Sequence, residues 1–405
     1  MSELSFCMVT TFYPPYHFGG DAMYVYRLSN ELARRGHRIT VVHSADAHRL
    51  LSRASPEQTF PHEPGVTVRT ARFGPVAPLV TYLTGRAGLN RRLLDDVFRE
   101  DSFDVVHFHN VSLMGGPAAL SYGSGVKLYT MHEHWLVCPM HVLWKFNREP
   151  CHEPSCIRCS LTFKRPPQLW RYTALLDNQV RLIDLFLSPS RFTVEAHRQR
   201  GFTRPIRHLP YFLATHEALP ARERPEFRER PYFLFVGRLE RLKGVETLIE
   251  RFERYPDADL VVVGEGEHGA ALRRLAAPTA NIHFLGRLHP SALPPLYAGA
   301  IAVLVPSVGY EVFGLVLLES FAQGTPVIVN NLGALPEVVA ESGGGYAYRT
   351  QDELLAAMHE LQRDPDLRRE LGRRGRDAWQ RLWSEDPHLD GYFAAIEEAR
   401  QQSRG

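Results

Sequence analysis

The part of the sequence most informative about fold is Val308-Gly-Tyr-Glu-Val-Phe-Gly-Leu-Val-Leu-Leu-Glu-Ser-Phe-Ala-Gln-Gly324. Its second half is almost entirely apolar, which predicts a buried helix beginning near Phe313-Gly314. Gly324 favours a helix end there, and Pro326 prevents the helix from resuming. The stretch therefore predicts a short helix in the interior of an α/β domain, with its N-terminus open to a ligand.

Two carboxylates accompany this helix. Glu311 precedes its first turn, and Glu319 lies on its body. A carboxylate on a buried helix is costly unless a partner satisfies it. Ligand hydroxyls would do so, and the free amides of the first turn attract anions. Sugar hydroxyls and phosphate oxygens fit this set of groups, whereas the structural alternative is a glutamate paired with a buried arginine.

The sequence Glu311-Val-Phe-Gly-Leu followed by Glu319 resembles the paired-glutamate motif of retaining family 4 glycosyltransferases. That resemblance implies the GT-B fold, an α/β architecture in which two Rossmann-like domains face each other across a cleft and a C-terminal helix crosses back to the first domain. It implies a nucleotide-diphosphate sugar as donor, with Glu319 on the ribose and Glu311 on the hexose. The amides of Phe313, Gly314 and Leu315 would lie against the sugar and phosphate.

Length and composition predict a two-domain globular protein. The chain has 405 residues, and no apolar run reaches the roughly 18 residues that a membrane span needs. The N-terminus has no basic region before an apolar one, so we expect a cytoplasmic protein without a signal peptide. Five cysteines in such a chain indicate thiols or a metal site rather than disulfides.

Charge is unevenly distributed. Residues 1–208 carry a net charge of +8 and the remaining residues −6. A basic first half indicates an anionic partner, and we expect a phosphorylated, lipid-linked or saccharide acceptor. It also predicts peripheral contact with the anionic inner face of a membrane, whereas nothing indicates nucleic-acid binding. The alternative is a set of dispersed, solvated arginines.

Residues 1–209 are predicted to form the first domain, joined by a returning segment at 386–405. The order strand Phe6–Thr10, glycine loop, helix capped by Asp21 and next strand is typical of a mononucleotide-binding fold. The resemblance places Gly19 and Gly20 against the donor diphosphate, although a plain tight turn would need the same glycines. Residues 45–64 are expected to form an irregular loop.

His132 follows the predicted strand 127–130, at the edge where ligands bind α/β sheets. The resemblance places a histidine at this point beside the transferred sugar. Family members usually continue with aspartate, whereas this chain has Glu133. The alternative is a hydrogen-bonded structural histidine, which is also our interpretation of His107 and His109.

Four cysteines lie in an insert at residues 138–160. Their spacing predicts a four-thiolate site for a structural Zn²⁺, formed by Cys138, Cys151, Cys156 and Cys159. The alternatives are an iron–sulfur cluster, free thiols or a disulfide. A zinc site would shape the acceptor side of the first domain.

Residues 210–385 are predicted to form the donor domain, with 215–230 as a linker. Arg238 and Lys243 follow a strand that ends at Gly237, and two cations beside a helix N-terminus can clamp a diphosphate. The segment matches the Gly-Arg-Leu…Lys-Gly motif of family 4. The alternative is a pair of surface cations without a ligand.

The resemblance further implies that Arg287 and Leu288 border the nucleotide base. Residues 264–269 read Gly-x-Gly-x-x-Gly after a strand, so a dinucleotide site must be weighed. An NAD site needs an acidic residue about 20 positions later, and residues 270–310 contain none. We therefore interpret these glycines as a tight turn.

The resemblance, together with the two cations at the predicted diphosphate site, implies a retaining hexosyltransferase that needs no divalent metal for catalysis. The predicted catalytic residues are Glu311, His132, Arg238 and Lys243. Three alternatives remain open: a phosphorylase on the same scaffold, a glucan synthase that uses the same motifs, and an inactive module that only binds nucleotide-sugar.

Overall fold

The computed structural model describes residues 3–52, 59–217 and 230–402. The chain divides into two compact units. The first comprises Met1–Val142, Glu153–Leu209 and Leu389–Gly405, and the second comprises Leu143–His152 and Pro210–His388. Most of the predicted linker 215–230 lies outside the described residues.

The first unit is built on a seven-stranded parallel sheet. Its order is β3-β2-β1-β4-β5-β8-β9, and a separate antiparallel hairpin is formed by β6 and β7. β1 is buried along its whole length, which explains its continuous apolar sequence. The strands up to the linker are β1 (Ser5–Val9), β2 (Arg38–Ser44), β3 (Val66–Ala71), β4 (Val105–Phe108), β5 (Val126–Thr130), β6 (Trp144–Lys145), β7 (Glu149–Pro150), β8 (Leu185–Ser188) and β9 (Ile206–His208).

Helices connect these parallel strands. They are α1 (Gly20–Arg34), α2 (Ala45–Leu51), α3 (Val76–Thr84), α4 (Arg91–Glu100), α5 (Cys156–Thr162), α6 (Leu175–Val180) and α7 (Arg191–Arg198). α2 occupies part of the predicted loop 45–64, because the Ser44 hydroxyl accepts a hydrogen bond from the Ala47 amide at 3.2 Å and caps the helix. Gly19, with φ 84°, occupies the cap position of α1, so Asp21 lies in the first turn rather than capping it.

The second unit is built on a six-stranded parallel sheet of order β12-β11-β10-β13-β14-β15. Its strands are β10 (Tyr232–Val236), β11 (Asp259–Val263), β12 (Ile282–Gly286), β13 (Val303–Val305), β14 (Val327–Asn330) and β15 (Gly345–Tyr348). Its helices are α8 (Val245–Phe252), α9 (Gly269–Ala276), α10 (Leu293–Gly299), α11 (Leu315–Ala322), α12 (Leu335–Ser342), α13 (Gln351–Arg363) and α14 (Pro365–Leu382).

Both sheets have the doubly wound topology of a Rossmann-like domain. Strand order reverses between β1 and β4 in the first unit and between β10 and β13 in the second. Ligands of open α/β sheets bind at the carboxyl ends of the strands that flank such a reversal. The loops after β1, β10 and β13 are therefore the candidate ligand-binding loops.

The last helix, α15 (Glu385–Gln402), carries the chain from the second unit to the first. Within the first unit, its Tyr392 ring stacks on Phe6 with centroids 6.2 Å apart, and the Tyr392 hydroxyl lies 2.9 Å from Nδ1 of His107. Among the described residues, no helix combines the length and apolar character that crossing a membrane requires.

Candidate active site

The loops after β10 and β13 are joined to each other. The amides of Val308 and Gly309 donate to the carbonyl of Leu242 at 2.9 and 3.0 Å. Gly244 has φ 69°, and a Cβ on it would lie 2.2 Å from the carbonyl oxygen of Pro306. Only glycine permits this approach. The contact holds the turn that carries Lys243 against the loop that carries Glu311.

Lys243 and Glu311 form an ion pair at this junction. Lys243 Nζ donates to Glu311 Oε1 at 2.6 Å, and the Ser307 hydroxyl donates to the same oxygen at 2.7 Å. The Asn330 amide in turn donates to the Ser307 carbonyl at 2.9 Å. Burial by itself would raise the pKa of Glu311, but Lys243, Ser307 and the nearby charge of Arg238 lower it below its ordinary value.

The lowered pKa of Glu311 predicts how the ion pair affects stability with pH. Ionised Glu311 stabilises the fold above its ordinary pKa of 4.5, and this contribution is lost as pH falls through the lower pKa of the folded state. Wild-type protein should therefore have a higher Tm than Glu311→Gln at neutral pH, with the difference shrinking below about pH 4. Thermal unfolding of both proteins between pH 7 and 3 tests this, and a constant difference would contradict it.

Arg238, the second cation predicted from the sequence, pairs with a carboxylate of its own turn. Its Nη1 lies 2.7 Å from Oε1 of Glu240, and its side chain is 51% exposed. Arg238 and Lys243 thus lie on one turn after β10, and each can exchange a carboxylate for an incoming anion.

Gly314 sets the direction in which α11 begins. Its φ of 102° is in the range that favours glycine, and a Cβ there would lie 2.9 Å from Cδ2 of Leu335. Leu315 is the first residue of the helix, and Phe313 is buried just before it. The first-turn amides of a helix have no partner within the helix, so this N-terminus favours an anion.

Glu319 is held by a residue that sequence reasoning did not identify. The Tyr297 hydroxyl donates to Glu319 Oε2 at 2.7 Å, and Thr325 Oγ1 donates to the Tyr297 carbonyl at 2.7 Å. Tyr297 is buried on α10 and so fixes one carboxylate oxygen of Glu319. The apolar surroundings of Tyr297 in the sequence contain no signal for this role.

The turn after β12 lies beside the loop after β11, because the Gly264 amide donates to the Gly286 carbonyl at 2.8 Å. Within that turn Arg287 is exposed and Leu288 is half-buried. A Cβ on Gly264 would lie 1.9 Å from the carbonyl oxygen of Gly237. The Gly-x-Gly-x-x-Gly stretch therefore serves close backbone packing, which explains its glycines without a dinucleotide.

His132 belongs to a buried group of imidazoles in the first unit. Its Nε2 lies 2.8 Å from Nδ1 of His109, and burial lowers the pKa of His132 to about 3. Nε2 of His109 is buried and has no hydrogen-bond partner among the described residues. Since an orphaned N–H is rarer than an orphaned lone pair, we assign the Nδ1–H tautomer to His109. That tautomer donates to His132 Nε2 and leaves Nδ1–H on His132.

Gly19 and Gly20 lie elsewhere in the first unit, in the loop after β1 and the first turn of α1. Both are exposed, so the backbone there is open to a ligand. They follow β1, one of the two strands between which the strand order reverses, and a mononucleotide-binding fold has its glycine loop at this point.

Comparison with known proteins shows the family. Residues 18–217 match the Glycosyltransferase Family 4 profile, and residues 220–378 match that of Glycosyl transferases group 1. A glycogen synthase of Mycobacterium tuberculosis is 30% identical, in an alignment covering 93% of this chain and 90% of the relative. The chain belongs to glycosyltransferase family 4. A phosphatidyl-myo-inositol mannosyltransferase of the same organism is 24% identical to this glycosyltransferase, over 82% of this chain and 80% of the relative.

Solved structures confirm that the glycosyltransferase has the GT-B fold. A sucrose-phosphate synthase from Thermosynechococcus elongatus superposes with a TM-score of 0.72 at 21% identity, covering 99% of this chain and 98% of that one. The HepE protein of Anabaena, solved with UDP-glucose, superposes with a TM-score of 0.64 at 15% identity and 99% coverage of both chains. The predicted α/β class and two Rossmann-like domains are correct.

The four-cysteine zinc site predicted for this glycosyltransferase is not supported. Within residues 3–52, 59–217 and 230–402, no group of three His, Cys, Asp or Glu side chains is arranged to hold a metal. Cys156 and Cys159 lie one turn apart on α5, whereas Cys151 follows the β6–β7 hairpin, a segment grouped with the second unit. Burial and the neighbouring Cys138 and Cys159 raise the pKa of Cys156.

Proposed function

We propose that this glycosyltransferase moves a hexosyl group from a nucleotide-diphosphate sugar to an acceptor hydroxyl, with retention of anomeric configuration. The Lys243–Glu311 pair at the β10/β13 reversal carries the proposal, because it sets a cation and a sugar-binding carboxylate 2.6 Å apart. A sugar attached to a diphosphate presents hydroxyls next to negative charge, so a carboxylate and a cation on adjoining loops suit the two parts of such a donor.

The proposed roles follow the chemistry of each group. Arg238 and Lys243 stabilise the charge that develops on the leaving diphosphate, so no divalent cation is needed for that task. Glu311 accepts hydrogen bonds from the hexose, and Glu319 accepts them from the ribose. The further donor contacts are the amides of Phe313, Gly314 and Leu315, the turn Arg287–Leu288 at the base, and Gly19, Gly20 and His132 in the first domain.

The reaction exchanges one bond to the anomeric carbon. The bond to the terminal phosphate oxygen breaks, and the acceptor oxygen forms a new bond to the same carbon. The acceptor proton passes to the departing phosphate oxygen, which is the base nearest to the attacking hydroxyl in a retaining transfer. Lys243 then stabilises the diphosphate product.

Donor and acceptor class are supported by relatives. A structural neighbour was solved with UDP-glucose, and another, TarM of S. aureus, with UDP. The relatives named as mannosyltransferase and glycogen synthase differ in acceptor, one carrying a lipid name and the other a glucan name. Phosphorylated, lipid-linked and saccharide acceptors are therefore the set to test. Glucan synthesis is the second candidate function, because its relative aligns over 93% of this chain.

A thermal-shift panel identifies the donor. We expect Tm to rise with one nucleotide base among UDP, GDP and ADP and further with one of its sugars, since a ligand that binds only folded protein stabilises it. The Glu319→Ala variant should lose the shift. Product analysed by proton NMR should keep the α or β configuration of the donor. A rise in Tm with a nucleotide-sugar, but with neither transfer of its sugar nor hydrolysis of the donor, would instead favour an inactive binding module.

A further inference from the structure

Two histidines meet at the carboxyl edge of the sheet of the first unit. His109 comes directly after β4, and His132 comes shortly after β5, the neighbouring parallel strand. The His109 amide donates to the Val9 carbonyl at 2.9 Å, which holds this part of the chain beside β1 after β4 has ended. Because parallel strands end at the same edge of a sheet, the two imidazole rings lie side by side, with centroids 5.1 Å apart.

The two imidazoles share one hydrogen bond and carry no net charge. Nδ1 of His109 lies 2.8 Å from Nε2 of His132. Burial lowers the pKa of His132 to about 3, and burial together with the neighbouring His107 and His132 lowers the pKa of His109 well below its ordinary value. At neutral pH each ring therefore has a single N–H, so one ring donates to the other.

The surroundings of His109 decide which ring donates. Its Nε2 is buried and has no hydrogen-bond partner among the described residues. A proton on that atom would be an orphaned buried N–H, which is rarer in proteins than an orphaned lone pair. The His109 proton is therefore on Nδ1, where it donates to Nε2 of His132. His132 then carries its own proton on Nδ1.

Other rings hold His109 in this orientation. The His107 ring, two residues earlier in the chain, lies 3.9 Å from the His109 ring between centroids, and Nδ1 of His107 lies 2.9 Å from the Tyr392 hydroxyl. Tyr24 packs against both His109 and His132, with centroids 6.2 and 5.2 Å away. The hydrogen bond made at one nitrogen of an imidazole determines whether the proton sits on the other. A fixed His109 therefore fixes the tautomer of His132.

We propose that His109 is a positioning residue, which holds His132 in the Nδ1–H tautomer and thereby makes it a hydrogen-bond donor to the transferred sugar. With Nε2 accepting from His109, Nδ1–H is the ring group of His132 that can donate to a sugar oxygen. A ring in this state has no bare nitrogen left to act as a base, which agrees with passage of the acceptor proton to the departing phosphate oxygen. The sugar contact rests on the proposed function, whereas the tautomer of His132 does not.

Nitrogen NMR of the full chain with ¹⁵N-labelled histidine tests the tautomer without any substrate. The ring signals of His132 are identified by their loss in His132→Asn. In wild-type protein at neutral pH, we expect Nδ1 of His132 to be protonated and Nε2 to be bare and hydrogen-bonded. In His109→Leu, the Nε2 signal should move to that of a bare nitrogen without a hydrogen bond. A protonated Nε2 in wild-type protein, or an Nε2 signal that His109→Leu leaves unchanged, would overturn the proposal.

Kinetics separate positioning from packing. His109→Leu should lower kcat by about tenfold to hundredfold, because a misplaced group beside the reacting atoms costs on that order. Its affinity for the nucleoside diphosphate alone (UDP, GDP or ADP, as selected by the thermal-shift panel) should stay at the wild-type value, since His132 is proposed to contact only the sugar. His109→Asn restores a side-chain donor and should keep more of the turnover than leucine does. A packing role would give the opposite order, because leucine is closer to histidine in volume.

The control for loss of a buried hydrogen bond among these rings is Tyr392→Phe. It removes the hydroxyl 2.9 Å from His107 but leaves His109 and His132 in place, so kcat and the His132 signals should stay near wild type. Circular dichroism and Tm must show that each variant folds. Unchanged kcat in folded His109→Leu, or a leucine variant more active than the asparagine variant, contradicts the positioning role. Wild-type protein that shows the expected tautomer but transfers no sugar from any donor would instead contradict the proposed function and the sugar contact.

Discussion

Replacing Lys243 with alanine is expected to lower turnover by about a hundredfold to a thousandfold. The side chain supplies a fixed positive charge where negative charge is proposed to develop on the leaving diphosphate, and removing one such group costs about this much. The substitution also removes the Lys243 Nζ that lies 2.6 Å from Glu311 Oε1, so Glu311 loses its ion-pair partner. Steady-state kinetics with the donor found in the thermal-shift panel measures the loss.

The matched control for this prediction is Arg241→Ala. Arg241 lies in the same short turn, Arg241–Lys243, but is exposed. It should keep near-normal turnover, whereas Arg238→Ala should fall by orders of magnitude like the lysine variant. Circular dichroism and Tm must show that each variant folds. Near-normal rates in folded Lys243→Ala and Arg238→Ala together would remove the diphosphate clamp.

Replacing Glu319 with alanine is expected to raise KM for the donor by about a hundredfold, with a smaller change in kcat. Hydrogen bonds to a charged group contribute roughly 1.5–3 kcal/mol, and each 1.4 kcal/mol is tenfold in affinity. A ribose contact is made in both ground and transition states, so its loss appears chiefly in KM. Titration of the nucleotide diphosphate by calorimetry should give the same loss as the kinetics.

Tyr297→Phe provides a graded test of the same site. The variant removes only the hydroxyl that donates to Glu319 at 2.7 Å, so the carboxylate loses its orientation but keeps its charge. KM should rise less than in Glu319→Ala, by about fivefold to tenfold. Glu250→Ala, at an exposed glutamate of α8, is the control for loss of a negative charge. If Glu319→Ala leaves nucleotide affinity unchanged, the ribose assignment is wrong.

The sequence was sufficient to predict which loops lie together. Lys243 and Glu311 are 68 positions apart, yet each follows a strand of one parallel sheet. Because the carboxyl ends of neighbouring parallel strands meet at one edge, their proximity follows from recognising the strands. The close approach of Gly244 to the Pro306 carbonyl, by contrast, was visible only in the structure.

Other features depended on tertiary packing that no local pattern encodes. Tyr297 reaches Glu319 because α10 packs beside α11, and the sequence around Tyr297 is that of any apolar helix. The helix α2 was missed because its signal is a single serine cap. The zinc prediction is not supported, because cysteine spacing in the sequence does not determine whether four thiols converge on one point in the fold.

The ion pairs of the unliganded site have a kinetic consequence. Lys243 is paired with Glu311 and Arg238 with Glu240, so both cations of the proposed diphosphate clamp already have a carboxylate partner. Strongly charged clefts draw their ligands in from solution by long-range attraction, which speeds association and fades as ionic strength rises. In the proposed clamp, the incoming diphosphate would replace these carboxylate partners, and little net positive charge is left to attract it from a distance. Capture of the donor should accordingly proceed at an ordinary diffusive rate that is nearly insensitive to salt.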